Sequence, residues 1–226
     1  MDSRNLKRVT IFAGHYGSGK TNVAVNYALH LAKQGRKTAI ADLDIVNPYF
    51  RTKDSESVLS EHSIRLISSP YANTNVDTPA LPAEAYAVVH DKSIYSVIDV
   101  GGDDRGALAL GRYMPAITEQ NDYEMIFVIN KYRYLTSNPA DTLAVMQEIE
   151  IAAGAKFTSI INNSNLGEET TAENVLSSVA YAKKVSELSG LEIKFTSVKS
   201  ELVPLLEDKI ENLFPIDLYV RQSWLR

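Results

Sequence analysis

One segment near the amino terminus carries residues whose types and spacing suit phosphate chemistry. It reads Gly14-His15-Tyr16-Gly17-Ser18-Gly19-Lys20-Thr21. These residues fit the pattern G-x-x-x-x-G-K-[ST] at every position, and all of them are predicted to line a nucleotide. The N–H groups of such a turn converge on an anion, and the dipole of the following helix adds partial positive charge. Lys20 would reach the β- and γ-phosphates, and the Thr21 hydroxyl would bind Mg²⁺.

An acidic pair closes the second predicted strand. Asp42 and Asp44 are two residues apart, and side chains at that spacing leave a strand on the same side. One carboxylate would bind Mg²⁺ through water, and the other would orient the water that attacks the γ-phosphorus, since phosphoryl transfer requires mainly positioning and charge neutralisation. The alternative is a pair of solvated turn aspartates. The neighbouring phosphate loop favours the catalytic interpretation.

A further carboxylate lies at the end of the fourth predicted strand. That strand ends at Asp99-Val100 and continues into Gly101-Gly102. An apolar strand that closes on aspartate supplies the carboxylate that fixes Mg²⁺ in NTPase sites. These glycines would let the backbone approach the γ-phosphate, with Gly101 as the predicted contact. The same backbone would move when the γ-phosphate leaves. Residues 103–105 are either part of this switch or only a polar turn before a helix.

Residues after the fifth and sixth predicted strands indicate which nucleotide base the site would recognise. The sequence N-K-Y-R at 130–133 lacks the aspartate of N-K-x-D, because Arg133 stands where a carboxylate would accept from guanine. The sequence therefore lacks the residue that usually makes such a site specific for GTP. Asn162 and Asn163 carry amides that donate and accept at once, which matches the N6/N7 edge of adenine. Either one is predicted to read that base; the alternative is that both cap a loop.

Short apolar runs alternate with stretches of helical period, and this alternation predicts a parallel sheet covered by helices on both faces. The predicted strands are residues 9–13, 37–42, 64–68, 93–100, 124–130, 158–162 and 192–198. The predicted helices are residues 21–34, a short one within 54–62, 82–90, 107–120, 139–153, 172–188 and one at the C-terminus. Ligands of such sheets bind outside the carboxyl ends of the strands, where the residues above lie.

Composition narrows the function classes. The 226 residues are 45% hydrophobic and 23% charged, which suits a single α/β domain over 1–226. The formal net charge is −5 without a dense Lys/Arg run, so strong nonspecific nucleic-acid binding is not indicated. The lack of cysteine excludes disulfides and thiol catalysis and favours a cytoplasmic protein. No apolar run reaches the roughly 18 residues of a transmembrane segment.

Together these motifs resemble the MinD/ParA/CobQ group of P-loop ATPases, in the SIMIBI class. The phosphate loop, Asp42-Leu43-Asp44, Asp99-Val100-Gly101-Gly102 and Ile161-Asn162-Asn163 occur in the order of that group. The resemblance implies a P-loop NTPase fold with seven or eight mostly parallel strands, ATP and Mg²⁺ as ligands, slow hydrolysis, a protein partner and a nucleotide-dependent homodimer. It also implies residue roles: phosphate and Mg²⁺ binding by Lys20 and Thr21, positioning of the attacking water by Asp44, Mg²⁺ binding by Asp42 and Asp99, and adenine contact by Asn162.

The phosphate loop departs from that group at one position. The group carries a lysine directly after the first glycine, which reaches the partner's phosphates across the dimer. Here that position is His15, followed by Tyr16. A neutral imidazole does not replace an ammonium near neutral pH. The charge then comes from Arg105 or Arg51, or the ATP-sandwich dimer does not form; alternatively, His15 and Tyr16 pack over the nucleotide.

Several functions fit these residues. The first is a slow ATPase that acts as a nucleotide-dependent switch or assembly factor. The second is an ATP-dependent biosynthetic ligase or small-molecule kinase, with residues 70–82 as a substrate cover, although no second set of catalytic side chains supports it. A metal-delivery ATPase is disfavoured by the lack of cysteine.

The C-terminal segment, residues 213–226, mixes apolar and basic side chains. Two interpretations are open: a helix docked on the domain, or an amphipathic membrane anchor. The proline and the few arginines favour the docked helix.

Overall fold

The centre of the fold is one β-sheet of eight strands. The computed structural model describes residues 6–43, 55–67, 90–102 and 104–220. The strands are β1 (Val9–Ala13), β2 (Thr38–Leu43), β3 (Arg65–Ile67), β4 (Tyr95–Val100), β5 (Tyr123–Ile129), β6 (Ser159–Asn162), β7 (Ile193–Lys199) and β8 (Leu213–Ile216). Their spatial order is β3-β2-β4-β1-β5-β6-β7-β8, and every neighbouring pair is parallel. The predicted class, an α/β fold with seven or eight mostly parallel strands, is confirmed.

Helices connect the strands and cover both faces of the sheet. In the described part of the chain they are α1 (Lys20–Lys33), α2 (Glu56–Glu61), α3 (Asp104–Gly111), α4 (Met114–Gln120), α5 (Pro139–Ala153), α6 (Ala172–Ser189) and α7 (Val203–Leu206). Asn138 starts α5 by accepting a hydrogen bond from the N–H of Asp141, and Thr171 forms a capping box with Asn174 in α6. Gly190 ends α6 with a φ of 73°, a conformation that glycine adopts readily.

Strand side chains alternate between two apolar cores. The core beneath α1 and α2 contains Phe12 and Ile126, and the core beneath α3–α6 contains Ile11 and Phe127. Since both faces are covered, β1 and β2 are buried at every position. A polar side chain in these strands therefore lies in an apolar environment, where it requires a hydrogen-bond or charge partner.

One predicted helix is broken in the structure. Residues 107–120 were expected to form a continuous helix, but α3 ends at Gly111 and α4 begins at Met114. Pro115 lies in the first turn of α4, where the missing N–H would have no helical partner in any case. In a continuous helix, Pro115 would leave the Gly111 carbonyl without its N–H donor, and the proline ring would clash with that carbonyl. The break therefore follows from proline stereochemistry.

The prediction of a C-terminal helix is wrong in its described part. Leu213–Ile216 forms β8, which pairs in parallel with β7 at the sheet edge. The ring centroids of Phe214 and Phe195 are 4.6 Å apart, so apolar packing on the sheet stabilises this strand. Pro215 is compatible with an edge strand, which has unpaired N–H positions. Residues 221–226 and most of the predicted helix 82–90 lie outside the described residues.

Candidate nucleotide-binding site

The glycine-rich loop joins β1 to α1 at the carboxyl edge of the sheet, in the strand–turn–helix context that the sequence predicted. Gly17 and Gly19 have φ values of 75° and 83°. The N–H of Ser18 donates to the carbonyl of His15 at 3.0 Å and closes a tight turn. The first N–H groups of α1 have no helical acceptor, so they are available to an anion above the loop.

Lys20 places its ammonium inside this site. The residue is 5% exposed, and among the described residues the ammonium has no hydrogen-bond or ion-pair partner. It lies against Gly102, because a Cβ built on Gly102 would be 2.8 Å from Lys20 Nζ. A buried ammonium without an ion-pair or hydrogen-bond partner costs free energy. An anionic ligand beside Lys20 would remove that cost.

The segment after β4 contacts the phosphate loop directly. The carbonyl of Gly102 accepts a hydrogen bond from the N–H of Tyr16 at 3.1 Å. A Cβ on Gly102 would lie 2.7 Å from both N and Cα of Tyr16, so this approach requires glycine. Gly101 is buried, whereas Tyr16 is 47% exposed. Two predicted nucleotide-contacting segments are thus adjacent in the fold.

Strands β2 and β4 bring two predicted Mg²⁺ ligands side by side. Asp42 and Asp99 are register partners, which places their Cα atoms about 4.8 Å apart. Both are buried, and each lies two residues after a core residue beneath α1, Ile40 in β2 and Val97 in β4. Both carboxylates therefore lie on the sheet face that α1 covers. Thr21, also buried, lies in the first turn of that helix.

This donor set is compatible with Mg²⁺ only when phosphates are added. Mg²⁺ binds through one or two carboxylates together with substrate phosphates and keeps several waters. No group of three His, Cys, Asp or Glu side chains in the described part of the chain could hold a metal by itself. Asp44, the predicted catalytic carboxylate, lies outside the described residues, as do Arg51 and the segment 70–82.

Asn162, the predicted adenine contact, is fully buried at the end of β6. Its Nδ2 donates to Ser178 Oγ at 2.9 Å, and its Oδ1 accepts from Ser164 Oγ at 2.7 Å. Both ends of the amide are therefore used within the protein. A contact between Asn162 and a base would require these hydrogen bonds to open.

The neighbouring Asn163 contacts the phosphate loop instead. Its Nδ2 donates to the Ser18 carbonyl at 2.6 Å, and its Oδ1 accepts from Ser197 Oγ at 2.6 Å. A Cβ on Gly19 would lie 2.4 Å from Asn163 Nδ2, so a side chain at residue 19 would displace this amide in addition to the strain of the positive φ. Asn163, which directly follows β6, thus links strand β7 to the phosphate loop.

A contact of Arg133 was not predicted from the sequence. Arg133 follows β5, the strand beside β1, and its Nε donates to the Gly17 carbonyl at 2.7 Å. The sequence indicated only that a guanine-binding carboxylate is missing at this position. The two residues are 116 positions apart, and no local pattern predicts a contact at such a separation.

The imidazole of His15 lies in a cationic, partly buried environment. Burial lowers the pKa of His15 below its ordinary value, and the nearby Lys20 lowers it further, while Glu148 acts in the opposite direction. In the absence of nucleotide, His15 is therefore neutral near pH 7. Its lowered pKa also means that the stability it contributes is lost as pH falls below the ordinary histidine range.

A bound triphosphate should reverse this effect on His15. Its negative charges would raise the pKa of His15, so ATP binding would take up a proton and tighten as pH falls from about 8 to about 6, by at most about tenfold per pH unit. Calorimetric titration of the native chain and of His15→Gln at several pH values measures this pH dependence of ATP affinity. Protonation of ATP itself affects both proteins equally, so the difference between them reports on His15. Equal pH dependence in the two proteins would contradict it.

Comparison with solved structures identifies the fold. The chain is similar to chloroplast FtsY from Physcomitrella patens, with a TM-score of 0.59, 18% identity and coverage of 87% of this chain and 59% of that one. This chain has a P-loop NTPase fold. Cell division protein FtsY from Thermotoga maritima gives a TM-score of 0.57 and 20% identity over 94% of this chain and 66% of that one. The signal recognition particle 54 kDa protein from Aeropyrum pernix, in complex with GDP, gives a TM-score of 0.53 and 16% identity. That match covers 87% of this chain and 42% of the other.

These comparisons do not single out the MinD/ParA/CobQ group. No protein-family model matches the chain, and no curated protein matches it. The chain spans 59% of the first of these structures, and identities of 16% to 20% establish the fold alone. In addition, none of the described helices has both the length and the apolar character needed to cross a membrane.

Proposed function

We propose that this chain is a Mg²⁺-dependent ATP-binding protein of the SIMIBI class, and that it hydrolyses ATP slowly as a nucleotide-dependent switch or assembly factor. The observation that carries this proposal is the ammonium of Lys20, buried at the start of α1 without an ion-pair or hydrogen-bond partner among the described residues. A nucleoside triphosphate would supply such a partner at the place where the loop's N–H groups converge.

The preference for adenine rests on the residues after β5. Arg133 has donors only, so it cannot accept from guanine N1–H and N2–H as an aspartate would. The Aeropyrum pernix protein was solved with GDP, which makes GTP the alternative nucleotide for this chain. Competition between ATP and GTP for the same site distinguishes the two. Tighter binding of GTP would overturn the assignment of adenine.

In the proposed reaction, water attacks the γ-phosphorus, the bond to the β–γ bridging oxygen breaks, and ADP and phosphate leave. Asp44 would orient that water, and Lys20 would offset the charge of the β- and γ-phosphates. Asp42, Asp99 and Thr21 would hold Mg²⁺, which neutralises phosphate charge when bound. These residues act by position and charge, and none forms a covalent bond to phosphate.

The hydrogen bond between Gly102 and Tyr16 supports a switch function. It joins the segment after β4 to the phosphate loop at 3.1 Å, next to the Lys20 ammonium. Binding of a γ-phosphate beside Lys20 would compete with this close contact, and phosphate release would restore it. The segment after β4 would thus respond to the nucleotide state, as switch segments do.

Substitution of Asp44 by asparagine tests the hydrolytic part of this proposal. Asp44→Asn should retain ATP–Mg²⁺ binding but lose at least about tenfold in hydrolysis, because an amide orients the attacking water poorly. Asp208→Asn is the control, since Asp208 is exposed and precedes β8 at the opposite edge of the sheet. Phosphate release and calorimetry measure the two quantities. Full hydrolysis by Asp44→Asn would refute the role of Asp44.

The mass of the Asp44→Asn protein in solution, with and without ATP–Mg²⁺, tests the switch. A monomer–dimer shift would support the nucleotide-dependent homodimer implied by the resemblance. A constant mass, together with ADP release that depends on an added small molecule, would favour the ligase or kinase function instead.

A further inference from the structure

Two cations border the phosphate loop on opposite sides. In the sheet, β1 lies between β4 and β5. The ammonium of Lys20 is directed to the β4 side, against Gly102. The guanidinium of Arg133 comes from the β5 side, where its Nε donates to the Gly17 carbonyl at 2.7 Å. The loop therefore has one positive charge on its β4 side, from Lys20, and another on its β5 side, from Arg133.

The guanidinium of Arg133 is held against the backbone of the loop. A Cβ built on Gly17 would lie 3.3, 3.5 and 3.7 Å from Nε, Cδ and Cζ of Arg133. The residue itself is fixed at the start of a turn, because its N–H donates to the Asn130 carbonyl and its carbonyl accepts from the N–H of Thr136. Position and orientation are thus set before any ligand binds.

Most of the hydrogen-bonding capacity of Arg133 is unused. A guanidinium has five N–H donors. In the described part of the chain only Nε has a partner, so the four N–H groups on Nη1 and Nη2 are available. Lys131, two residues before Arg133, has its side chain directed elsewhere, because its Nζ donates to the Ser177 carbonyl on α6 at 2.9 Å. Of these two neighbouring cations, only Arg133 is directed to the phosphate loop.

We propose that Arg133 binds the α-phosphate end of the nucleotide while it positions the phosphate loop through Gly17. Lys20 reaches the β- and γ-phosphates from the β4 side, so the α-phosphate and the nucleoside lie toward β5. Guanidinium groups bind phosphate oxygens through paired N–H donors. This inference rests on the proposed function. It adds a binding residue that the motif G-x-x-x-x-G-K-[ST] does not contain.

Removal of the charge at position 133 tests this proposal. Arg133→Gln should weaken binding of ATP and of ADP by the same factor, about tenfold, since both nucleotides carry an α-phosphate. Lys20→Ala should instead weaken ATP more than ADP. Titration calorimetry with each nucleotide and Mg²⁺ measures the four affinities. Arg133→Lys, which keeps the charge but not the paired donors, should recover part of the loss.

Lys131→Gln is the matched control, because it removes one positive charge two residues away and should change either affinity by less than about twofold. Thermal unfolding without nucleotide checks that each variant folds, and Arg133→Lys provides the measurement if Arg133→Gln does not fold. Native affinity in Arg133→Gln, a loss confined to ATP, or an equal loss in Lys131→Gln would overturn the proposal. Failure of the native chain to bind any nucleotide would instead overturn the proposed function.

Discussion

Replacement of Lys20 by alanine is expected to weaken ATP binding by about 100-fold or more. The lost interactions are charge-assisted hydrogen bonds to phosphate in a buried site, which contribute about 3 kcal/mol. Since Lys20 is only 5% exposed, little of this contribution is screened by water. Calorimetry with ATP–Mg²⁺ measures the loss, and an unchanged affinity would refute the proposed phosphate site.

The stability of a second variant, Lys20→Met, separates binding from folding. Methionine keeps most of the side-chain volume and removes the buried charge. The ammonium has no ion-pair partner among the described residues, so its removal should leave the free energy of unfolding without nucleotide unchanged or higher. A large loss of stability in Lys20→Met would indicate that the ammonium is structural, and would contradict a role confined to the ligand.

Substitution of Gly102 by alanine is expected to lower ATP hydrolysis at least about tenfold. The added Cβ would lie 2.7 Å from the backbone N and Cα of Tyr16 and 2.8 Å from Lys20 Nζ. Backbone atoms cannot yield as a flexible side chain does, so the segment after β4 must move away from the phosphate loop. Displacement of a positioning segment by even about 1 Å can reduce turnover by roughly 100-fold. Steady-state phosphate release measures the effect.

Gly111→Ala is the matched control for Gly102→Ala. Gly111 lies at the end of α3, and a Cβ there would have its nearest contacts at 3.5 Å, an ordinary van der Waals distance. This variant should hydrolyse ATP at the native rate, and its stability should be unchanged or slightly higher because alanine favours helix. Equal hydrolysis by Gly102→Ala and the native chain would contradict the role of the contact between Gly102 and Tyr16.

The elements that carry local patterns could be predicted from the sequence. The strand Val9–Ala13 and the helix Pro139–Ala153 occur with the predicted bounds, because apolar runs and capping residues act within a few positions along the chain. The C-terminal strand could not be predicted in this way. Leu213–Ile216 is extended because it pairs with β7 and packs Phe214 against the sheet, and neither partner is local in sequence.

The candidate site divides along the same line. The residue types of the phosphate loop and its place between a strand and a helix follow from the sequence alone. The sequence also located Asp42, Asp99 and Asn162 at the ends of strands, but it gave no partners for them. The fold makes Asp42 and Asp99 register partners on adjacent strands, and the amide of Asn162 hydrogen-bonds two serines.

By itself, the sequence determined that this chain forms a parallel α/β sheet with a glycine-rich loop between its first strand and first helix, because periodicity and glycine stereochemistry act over short stretches of chain. Only the tertiary structure decided which groups border that loop. Gly102 lies against Tyr16 and Lys20, and Arg133 binds Gly17, because the strand order places β4 and β5 on either side of β1. That order is set by long-range packing, which no local sequence pattern specifies.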